Sequence, residues 1–157
     1  MSALTTVYGV NATKYYNMAV GKTTGMADFI SEEWQDNVKM VYDSYAVAST
    51  DTMAAGGIFT FGRLPKGSRV LFAVVTYSAQ SVATTGTLKV GTTTIGAVSS
   101  MTAAGSQVIG MLTAGIGTPI TADANITLTT ADQTVPASAT ISCVVFYIPD
   151  GIGVSAT

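Results

Sequence analysis

Four carboxylates fall within nine residues: Asp28, Glu32, Glu33 and Asp36. Clustered carboxylates can hold calcium or divide acid and base work between them. Their spacing lacks the Asp/Asn alternation, central Gly and closing Glu of a calcium loop. We therefore assign no metal site, and read a solvated acidic face or a dock for a basic partner. Arg63, Lys66 and Arg69 flank the turn at Pro65 and Gly67. They suit an acidic neighbour or a phosphate, or simply keep the turn solvated. Ser and Thr hydroxyls abound, but the chain has no His to activate them and no Ser-x-x-Lys pattern. Acyl-transfer chemistry needs a base beside its nucleophile. Gly115-Ile116-Gly117 and Gly151-Ile152-Gly153 lack the strand, third Gly and helix of a nucleotide loop. Trp34, Tyr42, Tyr45 and Tyr77 could stack on sugar rings, although aromatics in strand-rich chains more often pack in cores or across strands.

With no His and one Cys, zinc and iron sites have no ligand set, and no residue titrates near neutrality by default. Cys143 lies in the apolar run 141–148 and reads as an inert core residue; a lone Cys makes no internal disulfide. The expectation is a protein that is not an enzyme and carries no cofactor. Asn11-Ala12-Thr13 and Asn125-Ile126-Thr127 match glycosylation sequons, but the first residues show no basic segment leading into an apolar core. No signal peptide is expected, and the sequons read as chance.

The elements that would carry these residues are mostly strands. The 157 residues suit one domain with room for an arm. They are 48% hydrophobic and 10% charged, with a mean hydropathy of +0.43, against roughly 25% charged residues in an average domain. So little charge protects poorly against association, and burial against other subunits reconciles it with solubility. The net charge of −2 and the scattered bases give no nucleic-acid footprint. No run reaches the length of a membrane span.

Residues 1–51 hold six of the nine acids and three of the seven bases. We read 1–37 as a mostly irregular N-terminal arm, 38–150 as a β-sandwich domain and 151–157 as a short tail. In the arm, Val7, Tyr8, Val10, Tyr15 and Tyr16 are sticky without periodicity. Residues 28–35 suit one or two helical turns, with Asp28 as N-cap and Ile30 and Trp34 on one face. Beyond 38 the period is two. In 38–47, Val38, Met40 and Tyr42 share one face and Lys39 and Asp43 the other. Strands follow at 58–63, 68–78, 85–90, 93–98, 106–112, 125–130 and 139–148. A Pro-Gly turn spans 64–67, and a hairpin turns about Gly91-Thr92. The strand at 68–78 is apolar on both sides, as in a core or an interface. In the last strand Ile141, Cys143 and Val145 oppose Val144, Phe146 and Ile148. About eight short strands predict an all-β, antiparallel, jelly-roll-like sandwich with an extended N-terminal arm.

Four stretches carry a family resemblance: VYGVNAT at 7–13, VKMVYDSY at 38–45, FGRLPKGSRVL at 61–71 and ITADANITLTT at 120–130. Together they resemble small virion proteins from the structural modules of tailed bacteriophages, and 64–71 is the most specific piece. The resemblance implies a capsid decoration, or cement, protein on the outer capsid surface, made in the host cytoplasm. Its implied partners are the major capsid protein and further copies of itself, as a homotrimer, with neither nucleic acid nor membrane. It brings no catalytic residues. The candidate capsid or subunit contacts are Val7, Tyr8, Val10, Tyr15, Tyr16, Phe29, Trp34, Arg63, Lys66 and Arg69. The alternative is a head-fibre or tail adhesin that binds a host surface glycan.

Overall fold

The computed structural model describes residues 2–8, 38–80, 84–110, 117–131 and 135–149, the first of these by backbone alone. They form nine strands: β1 (Ser2–Tyr8), β2 (Lys39–Ala46), β3 (Asp51–Leu64), β4 (Arg69–Tyr77), β5 (Thr85–Val90), β6 (Thr93–Val98), β7 (Gly105–Ile109), β8 (Ala124–Ala131) and β9 (Thr140–Ile148). One sheet has the order β1-β3-β8-β5-β6 and the other β2-β9-β4-β7. The antiparallel pairs β2–β9, β3–β8, β4–β7 and β5–β6 are nested about the β5–β6 turn. One long hairpin is thus wrapped into two layers, and β4–β9 and β5–β8 close it. Two interlocked Greek keys of eight strands are a jelly roll, as expected from the sequence.

Each layer contributes alternate residues to one core. From the five-stranded sheet come Met53, Phe59, Phe61, Leu88, Ile126 and Leu128, and from the four-stranded sheet Val70, Ala73, Val75, Ile141, Cys143 and Val145, all buried. Phe59 stacks on Phe61 with ring centroids 6.2 Å apart and meets Tyr45 edge-on at 5.8 Å. Gly62 has φ 81°, and a Cβ there would sit 3.0 Å from Val41 Cγ1. Glycine therefore lets β2 cross close over β3.

The hairpin turns at Gly91 (φ 58°), a positive φ that glycine adopts without strain. β7 is shorter than expected within the described residues, and β3 is longer. The glycines at 56 and 57 do not open β3 but interrupt it. Gly56 takes φ 76°, and the pairing jumps from Leu4↔Met53 to Thr6↔Ile58. β3 advances five positions there while β1 advances two, which is a bulge rather than an end. β1 itself is a parallel edge strand on β3. Its sequence has no periodicity to announce it, so a strand sits where the sequence suggested irregular chain. The helical turns expected at 28–35 lie outside the described residues, as do 9–37 as a whole and the tail.

Candidate interaction surface

The outer side of the four-stranded sheet is built in rows. Register places Met40, Phe146 and Phe72 side by side across β2, β9 and β4. The next row is Tyr42, Val144, Val74 and Val108, and the third is Ser44, Ser142, Thr76 and Ser106. No side chain in these three rows is charged. Phe72 and Phe146 stack with centroids 4.5 Å apart at 18°. Thr76 Oγ1 and Ser106 Oγ share a hydrogen bond of 2.7 Å. Met40 is 65% exposed, Val108 57%, Val38 55% and Tyr42 52%, while Phe72, Val74, Val144 and Phe146 are half-buried. With strands about 4.8 Å apart and like-facing residues nearly 7 Å apart, the three rows span about 20 Å by 20 Å, or about 400 Å². Covering Met40, Tyr42 and Val108 would stabilise on the order of 1–2 kcal/mol each.

β2 explains why this face escapes a simple reading. Alternation separates Val38, Met40 and Tyr42 from Lys39 and Asp43, as the pattern requires. The usual rule would then send the apolar set inwards. The structure does the reverse: Val41, Tyr45 and Val47 pack against the core, and Asp43 is 1% exposed on the same side. Asp43 accepts the Ser44 N–H at 2.8 Å. Burial, and secondarily the Asp43 carboxylate, push the Cys143 thiol up to about 12, so it stays protonated and unreactive at neutral pH. β4 shows the same excess, with Val70, Ala73 and Val75 inside and Phe72 and Val74 outside. Its two-sided apolarity marks a core on one side and a half-buried apolar outer face on the other.

At the hydroxyl end lies a shallow depression of about 380 Å³, lined by Ser44, Thr76, Ser78, Thr140 and Ser142 with Tyr42 on its margin. Of the aromatics considered for sugar stacking, Tyr77 is buried and accepts a hydrogen bond from Gln107 Nε2. Tyr45 packs on Phe59, and burial, then Asp51, raises its phenol above the ordinary range. Tyr42, Tyr45 and Tyr77 all border the depression, and Tyr42 is the most exposed of the three.

The basic turn is assembled as expected but is occupied by its own chain. Asp123 Oδ1 accepts the Lys66 N–H at 2.8 Å, and Arg63 approaches Asp123 Oδ2 at 3.5 Å. Arg69 donates to the Gly117 carbonyl at 3.2 Å. Gly67 (φ 84°) turns the chain, and Ser68 N–H closes onto the Pro65 carbonyl at 3.2 Å. Asp123 was not singled out from sequence; nothing local to it announces a turn 57 residues away. Arg63 and Arg69 thus spend hydrogen bonds within the fold, and Lys66 remains exposed. Val7 and Tyr8 lie in β1, with backbones opposite Phe59 and Thr60. Val10, Tyr15, Tyr16, Phe29 and Trp34 lie outside the described residues, as does the acidic cluster. Among the described residues no three His, Cys, Asp or Glu side chains converge as a metal site, and no helix is long and apolar enough to cross a membrane.

Solved structures that share this fold include two from phage capsids. A chain in the capsid of Ralstonia phage GP4 aligns over 92% of this chain and 97% of its own, with a TM-score of 0.56 and 16% identity. A chain in the cyanophage Pam1 capsid asymmetric unit aligns over 82% and 95%, with a TM-score of 0.56 and 21% identity. No protein-family model and no curated protein matches the sequence. At these identities the likeness is one of fold, and function has to be argued from the surface.

Proposed function

We propose that this chain is a non-enzymatic structural protein of a phage virion, which decorates the capsid and bridges neighbouring capsid subunits from the outer surface. The observation that carries this reading is the near-complete overlap with chains of two phage capsids: 97% and 95% of those chains are accounted for by the same jelly roll. The surface chemistry supports it. A chain with 10% charged residues and an uncharged sheet face is suited to flat contact with other proteins. Its partners in this reading are the major capsid protein and further copies of itself, as a homotrimer. The sticky residues Val7, Tyr8, Val10, Tyr15 and Tyr16, with Lys66 at the exposed turn, supply contacts. Repeated over a symmetric shell, individually weak contacts gain avidity. Arg63 and Arg69, already bonded within the chain, stabilise the turn first.

Heat stability of purified capsids with and without the protein tests this. Capsids that survive to higher temperature with it bound are the expected result; equal stability overturns it. The informative deletion spares β1, because Ser2–Tyr8 belongs to the five-stranded sheet. Loss of 9–27 should weaken attachment and leave the sandwich folded, and attachment at full strength would remove the arm from the mechanism.

A second reading is an adhesin for a host glycan. It is favoured by one feature, the Tyr42 ring beside the hydroxyl-lined depression. Binding on a glycan array that disappears in Tyr42→Ala would support it, and silence on host polysaccharide would discard it.

A further inference from the structure

Two connections cross from one layer to the other, β4 to β5 and β6 to β7. Their backbones meet at Met101. Gln80, just after β4, donates its N–H to the Met101 carbonyl at 3.0 Å, and the Met101 N–H donates to the carbonyl of Thr84, just before β5, at 2.9 Å. One residue of the second crossing is thus held by both ends of the first. Gln80, Thr84 and Met101 are all fully buried. Gln80 Nε2 donates to the Ser78 carbonyl at 2.9 Å, which fixes the direction of its amide. Gln80 Oε1 and Thr84 Oγ1 are left buried without a hydrogen-bond partner. The polar groups beside them are satisfied. Gln107 Oε1 accepts the Ser99 N–H at 2.9 Å and the Ser99 hydroxyl at 2.8 Å, and Gln107 Nε2 donates to the Tyr77 hydroxyl.

We propose that one internal water molecule binds between Gln80 Oε1 and Thr84 Oγ1 and pins the two crossings together. A buried polar atom with no partner bears its full desolvation penalty, so native interiors leave few of them. Buried waters are the usual remedy, each making about three hydrogen bonds. Two orphaned atoms on residues that bond the same Met101 backbone lie within reach of one small molecule. Their chemistry selects that molecule. Gln80 Oε1 only accepts, so the occupant must donate, while the Thr84 hydroxyl can donate or accept. Water meets both demands. An anion has nothing to donate to Gln80 Oε1. A calcium-like cation asks for carboxylates, and among the described residues no three His, Cys, Asp or Glu side chains converge. The site lies inside the sandwich, so it is independent of the capsid reading and of what the outer faces touch.

A crystal structure of the full-length protein, at a resolution that shows ordered water, tests the proposal directly. The expected result is a water within about 3.2 Å of both Gln80 Oε1 and Thr84 Oγ1. A direct hydrogen bond between the two side chains overturns it, as does empty density between them or a protein partner for each. Magnetic relaxation dispersion of oxygen-labelled water, which counts slowly exchanging internal waters, tests it in solution. Thr84→Val keeps the side-chain shape and removes the hydroxyl, and should lower the count by about one water. Circular dichroism checks that the variant stays folded. Thr130→Val removes a buried hydroxyl that already bonds the Gly57 carbonyl at 3.2 Å, and should leave the count unchanged. A folded Thr84→Val with the full count overturns the proposal.

Discussion

On the outer side of the five-stranded sheet, register lines up Ile58, Thr129, Thr87 and Ala97 in one row and Thr60, Thr127, Lys89 and Thr94 in the next. On the outer side of the four-stranded sheet the two rows at the end where β2 begins are Met40, Phe146 and Phe72, then Tyr42, Val144, Val74 and Val108. Both faces are nearly uncharged, but they differ in side-chain chemistry. Threonine dominates the first face and suits a pleated, half-buried surface: Thr87, Thr127 and Thr129 are half-buried, Thr60 is buried and Thr94 is exposed. The second offers stacked aromatics and branched aliphatics, with the Tyr42 hydroxyl the one polar side-chain group in its rows before the Ser and Thr row. Low charge therefore takes two forms in this protein: a threonine-rich surface on one side, and an aromatic and aliphatic surface on the other.

Phe59→Ala sets the scale against which both faces are read. Phe59 is fully buried between the layers, and its loss should cost about 3–5 kcal/mol in urea unfolding. A loss below about 1 kcal/mol would mean the two sheets do not share one core. The alternation of β9, which separates inward Cys143 from outward Val144, predicts a pH effect. The unfolded thiol ionises near 9.0 and the buried one near 12. Between those values the folded state keeps a proton that the unfolded state has released. Stability should thus be intact below pH 9 and fall by roughly 1.4 kcal/mol per pH unit above it. Tyr147, raised by burial, adds in the same direction at higher pH. Cys143→Ala should flatten the slope between 9 and 10; an unchanged slope would place the titration elsewhere.

Smaller effects separate the faces themselves. Phe146→Lys should destabilise the full chain by about 2 kcal/mol, because it removes the ring stacked on Phe72. Thr129→Lys should stay within about 0.5 kcal/mol. Equal losses would erase the distinction between the faces. The smallest effect is expected at the turn, where Asp123→Ala removes the Lys66 N–H acceptor and the Arg63 contact. About 1 kcal/mol is expected, most of it from the hydrogen bond, since the exposed ion pair contributes little.

Much of this was legible in the residues, and what was not has a physical cause. Alternation in 125–130 and 139–148 announces β8 and β9 and sorts Ile126 from Thr127 and Cys143 from Val144. Gly91 and Gly67 mark turns because those turns need positive φ. Alternation does not say which set faces inwards. In β2 that choice is made by pairing with β9, which aligns Met40 with Phe146 on the outside. The nested strand order depends on pairings across the whole chain, and no local pattern encodes it. β1 was missed because parallel pairing by backbone asks little of its side chains. Asp123 was missed because its role is set by a turn far away in sequence. The resemblance in 64–71 pointed to phage virion proteins, and that stretch is the turn that Asp123 holds.

The central claim is that this protein is a stoichiometric part of a virion shell. Quantitative mass spectrometry of purified virions, relative to the major capsid protein, tests it most directly. The account predicts a fixed ratio close to that of the capsid subunit. A handful of copies per particle, as at a vertex, tail or fibre, would contradict it.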